Sequence, residues 1–259
     1  MQYRIIDFHT HPFLSAPYSI CQHQEFCALT AERTLKTMDG LGIEKFCGSV
    51  IRRGELAEGE SWWDRVRECN DQALALKALY GDRYIMGFHI HPFFVKESLA
   101  EIDAMHARGV RLIGELVPYL MGYQSTRVDG FDEIVDYAAK KNMILNIHNE
   151  EALDGLLEAH NDLPIVAAHP CEGAVLMRHI QRLKKYDNYY LDVSGGGLSR
   201  EGCLRRLIDE VGADRILFGT DYPICNPAAY VGGVALDDLL SEQEKQAIFC
   251  DNAKKLLNL

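Results

Sequence analysis

The chain has 259 residues, of which 47% are hydrophobic and 25% are charged, and its formal net charge is −11. This composition is typical of a globular protein, and the length suits a β/α barrel, which takes about 250 residues. The acidic charge and the lack of a dense Lys/Arg cluster argue against a nucleic-acid partner. No run reaches the roughly 18 apolar residues of a membrane span, so no membrane partner is expected.

The N-terminus and the cysteines indicate a cytoplasmic protein. The first eight residues contain one base and no apolar segment, so they do not form a signal peptide. Eight cysteines are scattered without a CxxC pair, which favours reduced, buried thiols. A small molecule is the expected partner, and the sequence leaves a homo-oligomer open.

Short apolar runs, often β-branched, alternate with amphipathic stretches along the chain, as expected for parallel strands buried on both faces. The predicted strands are residues 4–9, 45–51, 84–90, 111–117, 143–148, 165–169, 189–193 and 215–219. Between them, apolar positions such as Val66, Cys69 and Ala73 step by three or four and mark one face of a helix. Eight strand–helix repeats predict one α/β domain over residues 1–259, closed into a single (β/α)8 TIM barrel.

Three further local patterns agree with alternating strands and helices. No glycine-rich phosphate loop follows the first predicted strand, which argues against a dinucleotide-binding fold. Ser241 and Glu244 form a capping-box pattern that predicts the start of the last helix. The longest non-helical stretches each follow a strand, and in a β/α barrel such loops build the active-site face.

Polar side chains that can bind metals stand where five of the predicted strands end. They are His9 and His11, Glu115, His148, His169 and Asp221. His9 and His11 are two residues apart, and in an extended chain residues i and i+2 point the same way. Neutral imidazole is a good ligand for zinc and similar cations. A bare pair of histidines is ambiguous, but the further ligand types at equivalent strand ends predict one metal site.

Several segments together resemble the amidohydrolase superfamily. They are DFHTHPF, LNIHNE, VAAHPC, LDVSG, RILFGTDYP and the terminal DNAKKLLNL. The branch they resemble most is the amidohydrolase-2 group, which includes aminocarboxymuconate-semialdehyde decarboxylase and pyrone-dicarboxylate lactonase. The resemblance covers nearly the whole chain in the right order, and the HxH and FGTDYP pieces are its most specific parts.

This resemblance implies roles for particular residues. His9, His11 and His148 would be metal ligands, and Asp221 would be the last ligand and the catalytic acceptor of a proton from metal-activated water. His169 would be a catalytic residue facing the substrate, or a ligand of a second cation. The implied cofactor is a divalent metal, with zinc suited to three histidines and a carboxylate and manganese as the alternative.

Two features depart from the simplest form of this pattern. Members with one metal need no acid at strand four, whereas TatD-like members use a glutamate there to bridge two metals. Glu115 together with His169 therefore leaves one and two cations equally open. The family often has glycine soon after the strand-six histidine, but here His169-Pro170-Cys171 follows, which puts the substrate contacts at that position in doubt.

Substrate contacts are predicted from residues that follow other strands. Arg52 and Arg53 follow strand two, where a guanidinium can clamp a carboxylate through two hydrogen bonds, although a solvated loop pair is the alternative. His91, in a second HxH pair, is predicted to contact substrate. Tyr119 is predicted to line the pocket, and Glu150 to support the ligand His148 from behind.

The residues support several functions. The first is hydrolysis of an amide, lactone or ester of a small, carboxylated molecule by metal-activated water. The alternative is non-oxidative decarboxylation of an aromatic or dienoic acid on the same site. A further alternative is TatD-like cleavage of phosphodiesters with two metals, which Glu115 favours and the acidic charge opposes. A non-catalytic metal-binding protein is the remaining hypothesis.

Overall fold

The computed structural model describes residues 3–26, 29–148 and 152–259. Glu150, predicted to support His148, lies outside the described residues. Eight strands are present at the predicted places, with ends that differ from the predicted ones by at most three residues. They are β1 Ile5–Thr10, β2 Ile43–Gly48, β3 Tyr84–Phe88, β4 Leu112–Leu116, β5 Ile144–Ile147, β6 Ile165–Ala167, β7 Tyr189–Asp192 and β8 Ile216–Leu217.

The strands form one parallel sheet in the order β1 to β8. The first and last strands meet, because the backbone N–H of Phe8 donates to the Phe218 carbonyl at 2.7 Å. Just beyond, Thr10 and Tyr222 form a parallel bridge. The closed sheet with helices after its strands confirms the predicted (β/α)8 barrel.

Helices follow each strand and cover the outside of the sheet. They are α1 Ala31–Gly40, α2 Trp62–Tyr80, α3 Val95–Ala107, α4 Phe131–Lys140, α5 Leu153–Ala159, α6 Gly173–Lys185, α7 Cys203–Val211, α8 Pro227–Ala235, α9 Glu242–Gln246 and α10 Asn252–Leu257. The predicted capping box of Ser241 and Glu244 starts α9, and a π-helical segment, Ala247–Asp251, joins α9 to α10. Within the described ranges, no helix is both long and apolar enough to cross a membrane.

The strands are buried on both faces, because one face fills the barrel and the other meets the helices. Asp7 is a charged exception inside β1. Its carboxylate accepts hydrogen bonds from the Thr220 hydroxyl at 2.6 Å and from the Thr220 backbone N–H at 3.0 Å. Complete burial raises the pKa of Asp7 to about 7. This contact ties β1 to the segment after β8 and so brings His9 next to Asp221.

Candidate metal centre

The polar side chains predicted at the strand ends meet at the carboxyl end of the barrel. His9 lies in β1 and His11 just after it, and their Nε2 atoms are 3.1 Å apart. Glu115 lies in β4, where the pairing with β5 shifts register between Ile113 and Leu116. Such an irregularity turns a side chain away from the regular alternation of a strand, and here Glu115 joins the histidines.

Glu115 stands between two pairs of histidines. Its Oε2 atom is 3.4 Å from His9 Nε2 and 3.2 Å from His11 Nε2. Its Oε1 atom is 3.0 Å from His148 Nδ1 and 3.8 Å from His169 Nε2. We call His9, His11 and Glu115 the first ligand group, and Glu115, His148 and His169 the second ligand group. Within each group the ligand atoms lie within 4.8 Å of one another.

The donor set of both groups suits a divalent cation. Imidazole nitrogens and carboxylate oxygens are the ligands that zinc and manganese accept. His9, His11 and Glu115 are almost completely buried, so the nitrogen and oxygen lone pairs in the cluster face each other and not water. Buried polar atoms that converge in this way need a shared positive charge to stay together.

Asp221 lies on the side of the first ligand group. Its Oδ1 atom is 3.7 Å from His9 Nε2 and 3.6 Å from His11 Nε2. Its backbone has a φ of +58°, and its N–H donates to the His9 carbonyl at 2.8 Å. His169 also has a positive φ of +67°. Non-glycine residues held in the left-handed region are uncommon and cluster at functional sites.

Hydrogen bonds behind the cluster orient its rings, and sequence reasoning missed the residues that make them. His9 Nδ1 lies 2.9 Å from Asp192 Oδ2, and Ser194 Oγ lies 3.0 Å from His169 Nδ1. His11 Nδ1 lies 3.1 Å from the Ser49 carbonyl. A second hydrogen bond of this kind fixes the orientation of a metal-binding ring. Asp192 and Ser194 both lie in the LDVSG segment at the end of β7, which was the available signal.

The charges in the cluster compensate one another. Burial alone would raise the pKa of Glu115, but His9, His11 and His148 around it hold that pKa well below its usual range. Burial alone would lower the pKa of His9, but the carboxylates of Asp192 and Glu115 raise it well above its usual value. For His169, burial prevails and its pKa is lowered. The buried carboxylates of Glu115 and Asp192 therefore stay ionised because positive charge lies beside them.

Two of the residues predicted to contact substrate, Arg52 and His91, have polar partners elsewhere in the described structure. Arg52 forms ion pairs with Glu60 and Glu68, which occupy its guanidinium. His91 is completely buried, its Nε2 lies 2.8 Å from the Met121 carbonyl, and aromatic rings surround it. These contacts engage Arg52 Nη1 and His91 Nε2, and contact of either side chain with a substrate stays a prediction.

Tyr119 lies beside the cluster, and Arg53 lies near enough to Tyr119 to affect its pKa. The ring of Tyr119 is 66% exposed and meets the ring of His148 edge-on, with centroids 5.5 Å apart. Burial of its hydroxyl, followed by the charge of Glu115, raises the pKa of Tyr119, and the nearby Arg53 opposes this rise. Arg53 is exposed and forms no ion pair with any residue that the structure describes. Its guanidinium is thus available to an anion that approaches the cluster.

Comparison with known proteins gives a family and a set of similar folds. A family model described as amidohydrolase matches residues 6–259. A search of curated proteins finds no match. The barrel is similar to 2,6-dihydroxybenzoate decarboxylase from Rhizobium, with a TM-score of 0.76, 17% sequence identity and coverage of 99% of each chain.

Two further solved structures are similar over the whole chain. Dihydroxybenzoic acid decarboxylase from Polaromonas, solved with bound manganese, has a TM-score of 0.73 and 15% identity, and the match covers 99% of this chain and 97% of that one. 5-Carboxyvanillate decarboxylase from Novosphingobium aromaticivorans, also solved with manganese, has a TM-score of 0.70 and 17% identity, with coverage of 100% and 97%. At these identities the likeness shows the fold, which by itself does not fix a reaction.

Proposed function

Because this chain belongs to the amidohydrolase family, whose model spans residues 6–259, we propose that it is a metal-dependent decarboxylase of a small aromatic or dienoic acid. The observation that supports this most is the buried cluster of histidines and carboxylates at the carboxyl end of the barrel. Similar barrels, matched over 97–99% of their own chains, belong to decarboxylases of hydroxylated benzoic acids. Non-oxidative decarboxylation therefore accounts better for the site than the hydrolysis expected first from the sequence.

The proposed cofactor is a divalent cation held by His9, His11, Glu115 and Asp221, with His148 and His169 next to them. When bound, such a cation polarises an oxygen of the substrate and stabilises negative charge that develops in the transition state. Manganese is preferred over zinc in this proposal, because two of the similar decarboxylases were solved with manganese and carboxylates such as those of Glu115 and Asp221 suit it.

Decarboxylation requires that residues of the chain contact the substrate and transfer a proton to it. The bond between the substrate carbon and its carboxylate breaks, carbon dioxide leaves, and the electron pair stays on the carbon, which must then receive one proton. Asp221 is 5% exposed and lies beside the first ligand group, so we assign it the proton transfer. His169, on the opposite side of Glu115, is assigned contact with the substrate.

Arg53 is assigned recognition of a substrate carboxylate. Replacing Arg53 with alanine should raise KM about 10- to 100-fold and change kcat much less, because a hydrogen bond to a charged group contributes about 1.5–3 kcal/mol. Arg52→Ala is the matched control: its guanidinium already pairs with Glu60 and Glu68, so KM should stay within about twofold. Steady-state kinetics on the two variants checks this. Equal effects of both substitutions on KM would contradict the assignment.

The reaction itself is tested by the fate of carbon. Manganese-loaded protein should release carbon dioxide from at least one acid in a panel of hydroxylated benzoic acids and dienoic acids, and protein treated with a chelator should not. The panel also contains amides, lactones and esters of similar size. Turnover of those compounds without carbon dioxide would overturn the decarboxylase and favour the hydrolase.

Hydrolysis by metal-activated water is the second candidate function, and Glu115 is the observation that favours it. Each of its oxygens faces a different ligand group, and two cations held about 3.5–4 Å apart can activate water and stabilise the leaving oxygen together. Metal analysis by mass spectrometry on active protein separates the arrangements. One equivalent per chain fits the decarboxylase with one cation, and two equivalents fit the bridged centre.

A further inference from the structure

We propose that Asp192, acting through Ser194, fixes the ring tautomers of His9 and His169, so that one buried carboxylate presents an Nε2 lone pair to each of the two ligand groups. The inference deepens the proposed metal centre and rests on it. Asp192 and Ser194 are positioning residues, since they contact the ligands from behind. Both are completely buried, so water does not compete for their hydrogen bonds.

Asp192 accepts hydrogen bonds at both of its carboxylate oxygens. An ionised carboxylate only accepts hydrogen bonds. Its Oδ1 atom accepts from the backbone N–H of Ser194 at 3.0 Å and from the Ser194 hydroxyl. Its Oδ2 atom lies 2.9 Å from His9 Nδ1. The Nδ1 atom of His9 must therefore carry a proton, and Nε2, on the side of His11 and Glu115, is the atom that can offer a lone pair when a cation is bound.

Ser194 links Asp192 to His169 through its hydroxyl group. A serine hydroxyl has one proton to donate and two lone pairs that accept. Since its proton goes to Asp192, Ser194 Oγ can only accept from the His169 Nδ1 atom, 3.0 Å away, and from His9 Nδ1 at 3.2 Å. His169 then carries its proton on Nδ1, and its Nε2 lone pair faces Glu115 Oε1 at 3.8 Å.

The local backbone is shaped to keep this contact. Gly195 follows Ser194 with a φ of +60°, and a Cβ atom there would lie 2.2 Å from His169 Nδ1. Only glycine thus lets the His169 ring lie against Ser194. On the other side, a Cβ atom on Gly219 would come within 3.1 Å of Ser194 Cβ and 3.2 Å of Asp192 Oδ1. The two positioning residues are therefore packed from both sides.

The other ligand histidines depend on different partners. His11 is oriented by the Ser49 carbonyl, and His148 Nδ1 faces Glu115 itself. Asp192 thus reaches one histidine in each ligand group. Loss of the Ser194 hydroxyl should disturb His169 most, because His9 Nδ1 keeps its 2.9 Å contact with Asp192 Oδ2, whereas loss of the Asp192 charge should disturb both His9 and His169. This difference separates a positioning role from a general effect on folding.

Long-range 1H–15N spectra of protein with 15N-labelled histidine report the tautomer of each ring directly. In cation-free wild-type protein, His169 should be in the Nδ1–H form. In cation-free Ser194→Ala, His169 should become a mixture of tautomers. In wild-type protein loaded with diamagnetic Zn²⁺, His9 should keep its Nδ1 proton. In cation-free Asp192→Asn, His169 should likewise become a mixture of tautomers, because the Ser194 hydroxyl proton is then no longer held by a carboxylate. An Nε2–H form of His169 in the wild type would overturn the proposal, whether or not any variant folds.

Cation affinity provides the second measurement. Titration with Mn²⁺ followed by electron paramagnetic resonance should show a roughly 10- to 100-fold weaker affinity in Asp192→Asn, as is usual when the outer partner of a metal ligand is lost. In Ser194→Ala the weakening should be confined to cation bound by the second ligand group. Ser199→Ala is the matched control, because Ser199 is an exposed serine in the loop after β7. Its cation affinity should stay within about twofold of the wild type.

These measurements do not depend on the reaction. Correct tautomers together with no release of carbon dioxide would contradict the decarboxylase and leave the roles of Asp192 and Ser194 intact. Unchanged affinity and an unchanged His169 tautomer in Ser194→Ala would contradict those roles whatever the enzyme does.

Discussion

Replacing Glu115 with glutamine should lower the affinity for divalent cations by at least about a hundredfold and abolish turnover. Loss of an outer partner of a metal ligand already costs about 10- to 100-fold, and Glu115 is a ligand candidate in both groups. The glutamine amide nitrogen offers no lone pair to a cation. One of the two ligand groups would therefore face an N–H donor in place of a Glu115 oxygen. The raised pKa of His9 depends partly on this carboxylate, so the variant also removes a charge that holds the cluster together.

Titration with Mn²⁺ and metal analysis after gel filtration measure this effect. Glu101→Gln is a suitable control, because Glu101 is a partly buried glutamate that accepts a hydrogen bond from Asn70 on another part of the barrel. Its cation content should equal that of the wild type, and circular dichroism should show that both variants are folded. Full cation content in Glu115→Gln would mean that this residue supports the cluster without binding metal.

The barrel was predictable because buried parallel strands leave an unambiguous mark on a sequence. All eight strands of the structure lie within the apolar runs predicted for them or next to their ends. Their ends were less exact, since ladder pairing stops where the strands diverge at the barrel rim. The largest shift is in β2, which begins at Ile43 and ends at Gly48, three residues before the predicted end.

Contacts that depend on packing between distant elements were not predictable. Arg52 and Arg53 are adjacent and chemically identical, and their different environments come from Glu68 on α2 and Glu60 before it. His91 was predicted to contact a substrate, and the rings of Trp62 at the start of α2 and of Tyr123 after β4 pack against it. The position of His9 at a strand end was visible in sequence. The pairing of His9 with Asp192 was not visible, because no sequence spacing shows that a residue of β1 contacts a residue of β7.

Asparagine at position 221 should reduce turnover by about a thousandfold or more while most of the cation stays bound. A proton-transferring side chain typically contributes about 10²- to 10⁴-fold to the rate, and asparagine can neither accept nor release that proton. It keeps an oxygen in the place of the Oδ1 atom, which lies 3.6 Å from His11 Nε2. Asparagine also tolerates the left-handed backbone that Asp221 adopts, with φ of +58°, so the loop should keep its shape.

Turnover and metal content measured on the same preparation test the two halves of this expectation. Asp82→Asn is the control, because its side chain is fully exposed, and it should match the wild type in both. A catalytic rate within about tenfold of the wild type in Asp221→Asn would overturn the proton-transfer role. Loss of the cation together with the rate would show that Asp221 is needed first as a metal ligand, and it would contradict the expectation that most of the cation stays bound.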